Sequence, residues 1–263
     1  MNFIEENLTA VLAGGRIGSP LYFFPELSST NSEAFQLAAA GAAEGAVVVA
    51  DHQTNGRGRM QRVWVSPRGV NLYVSLILRP EIAAVESSPL TIMAGVAVAE
   101  VLAFYCPRQV KLKWPNDVLI NGKKVCGILA EMKTVGKNVE FVVIGIGLNI
   151  NMPQSDFTPP LEQIATSLCQ ETGKFMDRVE VTARLLAKIG DCYELFLTDG
   201  IGPIREKWLS HSQLLEKFVE VSFGAEVYRG KVTGMDEGGA LIIRGEKGER
   251  RQIIAGDARV IRG

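Results

Sequence analysis

The chain has 263 residues, 47% of them hydrophobic and 22% charged, with a formal net charge of −1. That length suits one large domain, or a large and a small one, with a sizeable core. Near-neutrality excludes a molecule built throughout to bind a polyanion such as DNA or an anionic membrane surface.

Four cysteines (Cys106, Cys126, Cys169, Cys192) are scattered without a Cys-x-x-Cys pair, and the two histidines, His52 and His211, lie far apart. Neither a disulfide framework nor a clustered metal site is expected. Residues 1–10 lack the basic segment and apolar stretch of a leader, and no apolar run is expected to reach membrane-spanning length. The expectation is a cytoplasmic protein with reduced thiols.

Residues 21–24 read as a strand, after which Thr30 and Glu33 fit a capping box opening a helix that Gly41 ends. Residues 46–51 form a continuous apolar run, a buried strand. Another strand is predicted over 71–78, and a helix with a buried face over 90–105, carried by Met93, Ala97, Val98, Val101 and Leu102. Strands follow at 110–113, 117–120 and 124–132, the last two joined by Asn121-Gly122, a strong two-residue hairpin signal. Residues 139–148 read as a central strand and 179–196 as an amphipathic helix. From 218 onward, short strands at 219–223, 227–233, 240–244 and 250–254 alternate with turn signals, the pattern of a small β-barrel.

Three segments carry chemistry. The first is Gln53-Thr-Asn-Gly-Arg-Gly-Arg59, in a stretch (54–79) with five arginines and no acid. Gly56 and Gly58 let backbone approach a ligand while Arg57 and Arg59 supply guanidinium groups, so the loop suits a small anion. The second is Lys113-Trp-Pro-Asn-Asp117 followed by Lys124, which places Asp117 and Lys124 on one face across the hairpin. Turn chemistry alone accounts for Pro115 and Asn116 but not for the flanking lysines. The third is Gly145-Ile-Gly-Leu-Asn149; glycines within a buried strand signal either close approach of a ligand or of another backbone, or simple packing of a helix against a glycine strip, and the residues leave both readings open.

With Ser29-Thr-Asn31, Trp64-Val-Ser-Pro67, Asn71-Leu-Tyr-Val-Ser75 and Lys124-Val-Cys-Gly127, these segments stand in an order that resembles biotin protein ligases, the biotin–[biotin carboxyl carrier protein] ligases. The resemblance runs from about residue 21 into the C-terminal barrel. It implies an α+β fold: a mixed, largely antiparallel sheet with helices, similar to class II synthetases, plus a small SH3-like β-barrel. The implied division is an N-terminal extension (1–20), a catalytic domain (21–216) and the barrel (217–263). One departure is Gln61, where the family's loop has a third glycine, so the loop's closure is expected to be stiffer or differently shaped. Cys126 is expected to be a small packing residue.

The resemblance also implies the reaction: biotin and Mg²⁺-ATP give biotinyl-5′-AMP, and a lysine of a biotin carboxyl carrier domain then takes the biotin. Lys124, Arg57 and Asp117 are the implied catalytic residues. The implied biotin contacts are Ser29, Thr30, Asn31, Gln53, Gly56, Arg57, Gly58, Arg59, Lys124, Gly127 and Gly145. Trp64, Asn116 and Asn149 fall to the adenylate, with no protein-held metal site expected. Exposed sheet edges in the family imply a homodimer. A repressor of the DNA-binding kind is disfavoured, because about twenty residues before the first strand are too few for a further domain of ordinary size. A lipoate- or octanoate-type ligase and a non-catalytic adaptor are the competing readings.

Overall fold

The computed structural model describes residues 15–262, so residues 1–14 of the expected N-terminal extension, and the expectation about a leader that falls on them, lie outside the described residues. Seven strands form the main sheet: β1 (Leu21–Phe24), β2 (Val47–Ala50), β3 (Leu72–Leu78), β4 (Val110–Lys113), β5 (Asp117–Ile120), β6 (Lys123–Val135) and β7 (Asn138–Leu148). Their order is β1-β2-β3-β7-β6-β5-β4. Only the β1–β2 pair is parallel, which gives the mixed, largely antiparallel sheet the sequence implies.

Strand alternation divides labour between the sheet's faces. In β3, Leu72, Val74, Leu76 and Leu78 enter the large core, whereas Tyr73, Ser75 and Ile77 point the other way, and all seven residues of the strand are buried. The core face is covered by α2 (Ser88–Tyr105), with α3 (Arg178–Asp199) and α4 (Ile201–His211) packed on its outer side. Helix α2 is therefore buried almost all round rather than on one face. It also amends an expectation: Ala84–Tyr105 does reach the length and hydropathy of a membrane span, but 67% of that window is buried inside the fold.

The opposite face is shared. Helix α1 (Thr30–Ala39) covers one part through Ala34 and Ala38, which pack on Val48, Ile77, Phe141 and Val143. Arg79 donates to the carbonyls of Ala38 and Ala42, satisfying acceptors that the helix end leaves open. The rest of this face is open, and it faces the N-terminus of α1. The expected capping box is absent: Ser29 is the N-cap residue without a side-chain cap bond, and Thr30 already belongs to the helix. Its hydroxyl is used elsewhere, as shown below.

The Asn121-Gly122 turn has φ of 50° and 80°, the two left-handed residues that a tight hairpin with native strand twist requires. The C-terminal part is a five-stranded antiparallel sheet, β8 (Phe218–Phe223), β9 (Glu226–Met235), β10 (Leu241–Arg244), β11 (Arg250–Ile253) and β12 (Asp257–Arg262), ordered β11-β10-β9-β8-β12. This is the small SH3-like unit. It docks on the main body through Trp114, whose indole Nε1 donates to the Gly239 carbonyl at 3.0 Å. Among the elements that escape the sequence reading are the short helical segments Leu161–Ile164 and Leu168–Thr172, helix α4 and strand β12. Helix α4 begins Ile201-Gly-Pro203, which reads as a break; yet the first-turn N–H that proline lacks has no partner within a helix. Strand β12 alternates only weakly, with Ala258 buried between half-buried Asp257 and exposed Arg259.

Candidate functional site

The open part of the sheet face is floored by glycine because of strand register. Gly147 on β7 pairs with Tyr73 on β3 and with Gly127 on β6, and Gly127 pairs in turn with Asp117 on β5. One step along, Ser75, Gly145 and Leu129 form the next row. A Cβ on Gly147 would lie 2.4 Å from the Trp64 indole, and one on Gly127 would lie 2.9 Å from the same ring. The indole thus rests directly on a side-chain-free trough at Gly127 and Gly147, whereas at Gly145 it is Asn31 of helix α1 that packs on the strand. Above the trough is a cavity of about 540 Å³.

A polar chain crosses one end of it. The Thr30 backbone N–H and Oγ1 both reach Gln53 Oε1, at 2.8 and 3.2 Å. Gln53 Nε2 donates to Ser66 Oγ at 2.9 Å, and Ser66 Oγ donates to the Trp64 carbonyl. Ser75 Oγ lies 2.8 Å from Thr30 Oγ1 and 2.7 Å from Asn31 Oδ1. Asn31 Nδ2 donates to Glu131 Oε2 at 2.8 Å, and Arg57 NH2 donates to the same oxygen at 2.9 Å. Ser29, Thr30, Asn31 and Ser75 are all buried.

The other end is ionic. Lys124 Nζ is 2.6 Å from Asp117 Oδ1, a buried oxygen that takes no conventional hydrogen bond besides this ion pair. The pairing expected across the hairpin is therefore present, assisted by a bulge that sets Lys124 opposite Leu119. Lys124 Nζ also sits 5.3 Å from the Trp64 ring centroid, within cation–π range. The Trp64 Nε1 is buried and has no hydrogen-bond partner among the described residues, which leaves one donor unused beside the cavity. Cys126 is sealed in the core, and burial pushes its thiol far above the ordinary range, so it is a packing residue.

The arginine loop closes over the cavity through bonds from the Gly58 N–H to the Arg62 carbonyl (2.7 Å) and from the Trp64 N–H to the Gly56 carbonyl (2.9 Å). Its turn places Met60 and Gln61 at φ of 53° and 59°, so the residue standing in place of the glycine adopts the backbone that glycine favours. Arg59 NH1 donates to Asn116 Oδ1 at 3.2 Å and lies 3.7 Å from Asp257 of the barrel. Arg62 pairs with the same Asp257. The barrel is thus part of the site's rim. Replacing Asp257 with alanine is expected to leave the fold intact and to speed tryptic cleavage after Arg59 and Arg62 several-fold, read by limited proteolysis; unchanged cleavage would show that the clamp does not hold the loop.

Of the sequence-predicted site residues, all but Gly56 line this cavity. Gly56 shapes the loop instead, since a Cβ there would meet the Trp64 carbonyl at 2.4 Å. Asn149 lines the cavity, but its amide is engaged by Thr166 and Asn71 and so fixes the wall. Six cationic side chains and two carboxylates line the space (Arg57, Arg59, Arg62, Lys113, Lys124 and Arg259 against Asp117 and Asp257), so the cavity suits an anion. Sequence reasoning missed Ser75, Glu131, Asp257 and the apolar wall of Met152, Phe157, Leu161 and Ile164. Ser75 carries a legible signal, being the one polar residue of an apolar strand; Asp257 carries none.

Comparison with known proteins agrees with this geometry. Residues 23–149 match the biotin/lipoate A/B protein ligase family, and residues 215–259 match the biotin protein ligase C-terminal domain. The bifunctional ligase/repressor BirA of Bacillus subtilis is 40% identical over 235 residues, spanning 89% of this chain and 72% of the relative. The biotin–[acetyl-CoA-carboxylase] ligase of Paracoccus denitrificans is 38% identical over 229 residues, spanning 86% of this chain and 94% of that one. Among solved structures, the Aquifex aeolicus biotin protein ligase in complex with biotin and ATP is 32% identical with a TM-score of 0.79, covering 92% of this chain and 99% of that one. With its glycine trough, its arginine loop and its C-terminal barrel, the chain belongs to the biotin protein ligase family.

Proposed function

We propose that this protein condenses biotin with ATP to biotinyl-5′-AMP and then transfers the biotinyl group to a lysine of a biotin carboxyl carrier domain. The observation that carries this reading is the juxtaposition, in one cavity, of a cluster of neutral donors and acceptors, flanked by Arg57, with Lys124 and Arg59. A ureido ring has two N–H donors and one carbonyl acceptor. Gln53, Ser29, Thr30 and Asn31, the last two backed by Ser75, offer complementary hydroxyl and amide groups, and the cavity beside the Trp64 indole gives room for the fused rings.

In the first step the biotin carboxylate oxygen bonds to the α-phosphorus while the bond to the β-phosphate oxygen breaks, releasing pyrophosphate. Two anions must meet, and negative charge builds on the phosphorus oxygens, so fixed cations lower the barrier. Lys124 and Arg57 take that role. Among the described residues no cluster of three His, Cys, Asp or Glu side chains converges, and the cavity carboxylates are already ion-paired. Mg²⁺ would enter with the ATP phosphates and would supply charge neutralisation there. Trp64 supplies an aromatic face for adenine, and Asn116 stands beside the Arg59 guanidinium at the nucleotide end. In the second step the acceptor amine attacks the acyl carbon, AMP departs, and the nitrogen loses a proton; Asp117 is placed to orient the incoming ammonium. All four cysteines are free, in keeping with a cytoplasmic setting.

The test is incubation of the purified protein with radiolabelled biotin, Mg-ATP and a carrier domain. ATP-dependent label on the carrier lysine is expected. Transfer of lipoate or octanoate in its place would move the assignment to the other branch of the family, and no transfer with no adenylate would leave a binding module.

A further inference from the structure

Strand β6 carries a single acid on the cavity side. Alternation puts Gly127, Leu129 and Glu131 on one face, and Glu131 stands just behind the wall rather than in the lining. One of its oxygens, Oε2, takes both the Asn31 Nδ2 bond (2.8 Å) and the Arg57 NH2 bond (2.9 Å). A carboxylate only accepts, so it forces the donor end of the Asn31 amide toward itself and the carbonyl end toward Ser75 Oγ, 2.7 Å away. Asn31 can adopt this position because Gly145 has no side chain; a Cβ there would lie 1.9 Å from Asn31 Oδ1. Arg57 gives Glu131 only its NH2 group, which leaves the remaining donors of the guanidinium for an anion. One carboxylate oxygen therefore holds side by side the amide of the ring-recognition cluster and the guanidinium of the arginine loop.

We propose that Glu131 is a positioning residue for adenylate formation, which sets the Asn31 amide and the Arg57 guanidinium in fixed relation so that a seated biotin ring meets a pre-aimed cation. This rests on the proposed ligase reading. The pair is part-exposed, with side-chain exposures of 39% for Arg57 and 30% for Glu131, so its contribution lies in geometry rather than in the stability of the fold.

The experiment compares wild type, Glu131→Gln, Glu131→Ala, Arg57→Ala and the Arg57→Ala/Glu131→Ala double variant. Three quantities are read: pre-steady-state pyrophosphate release from biotin and Mg-ATP, biotin binding by calorimetry, and the melting temperature. Misaiming one cation is expected to slow adenylation at saturating substrate by about 100-fold in Glu131→Ala, and biotin binding is expected to weaken with it. Glu131→Gln keeps an acceptor of the same shape and is expected to fall between wild type and Glu131→Ala. The double variant is expected to be no slower than Arg57→Ala alone, because the carboxylate acts through that cation. Rates that multiply in the double variant would overturn the proposal, as would Glu131→Gln reacting as fast as wild type or faster. If Glu131→Ala melts early, Glu131→Gln decides the matter. A wild type that forms no adenylate would bring down the ligase reading and this inference with it; an active wild type with multiplying variants would bring down the inference alone.

Discussion

Replacing Lys124 with alanine is expected to lower the rate of biotinyl-adenylate formation by about 10²–10³-fold, the usual consequence of removing one fixed stabiliser of transition-state charge. The proposed role has a geometric basis. Its Nζ is 2.6 Å from Asp117 and 5.3 Å from the Trp64 ring centroid, so the ammonium is aimed into the cavity before any ligand arrives. Stability should change far less. The pair is 32% and 21% exposed, so its loss costs about 1 kcal/mol after allowance for solvent screening. Lys124→Arg should not rescue the rate, because a planar guanidinium is bulkier than an ammonium; Lys124 Nζ already lies 3.2 Å from the position of a Cβ on Gly127. The decisive comparison is single-turnover pyrophosphate release in wild type, Lys124→Ala and Lys124→Ala/Asp117→Asn. Recovery of melting temperature without recovery of rate in the double variant would separate the two roles of the ion pair. A Lys124→Ala rate within about threefold of wild type, far short of that loss, would remove Lys124 from the chemistry.

The second large effect comes from adding one methyl group. Gly145→Ala places a Cβ 1.9 Å from Asn31 Oδ1 and 2.7 Å from its Cγ. Asn31 cannot simply swing aside, since Ser75, the Leu129 carbonyl and Glu131 all hold it. Either the first turn of α1 shifts or the strand does, an overpacking cost of about 1–3 kcal/mol. Biotin binding is expected to fall about 100-fold, because both the Asn31 amide and Thr30 beside it leave their positions. The control is Gly234→Ala in β9, where a Cβ meets nothing within 4 Å and the protein should melt at or slightly above the wild-type temperature. Calorimetry with biotin decides: wild-type affinity in Gly145→Ala would mean that the ring does not bind against this row of the sheet.

Much of this site is legible in the sequence, because its parts are local. The Asn121-Gly122 turn dictates a hairpin, and the hairpin brings Asp117 and Lys124 together. Glycine at 127, 145 and 147 in otherwise apolar strands foretells a bare floor, although only register shows that Gly127 and Gly147 lie in one row while Gly145 lies in the next. What the sequence conceals is long-range or competitive. Asp257 meets Arg62 across 195 positions, and no local pattern marks an acid in the barrel as a partner of the loop. Thr30 was legible as a cap; instead its hydroxyl goes to Gln53, where tertiary contacts outbid the helix end. Glu131 could have been placed by counting alternate residues from Gly127, but a lone acid on a strand reads equally well as a solvated side chain. Helix α4 was hidden because Gly202 and Pro203 suggest an ending, whereas Gly200, at φ 69°, is the true break and the proline opens the next helix.

The left-handed turn at Met60 and Gln61 couples the histories of two distant positions. Side-chain-bearing residues in that conformation cost about 1–2 kcal/mol each, so the loop's own backbone resists the shape it holds, and the Asp257 contacts to Arg59 and Arg62 offset that resistance. Glycine at position 61 would relax the demand on the acid at 257, and loss of the acid would raise the advantage of a glycine there. Gln61→Gly is accordingly expected to blunt the increase in tryptic cleavage caused by Asp257→Ala, and equal increases in both backgrounds would show that the two positions drift independently.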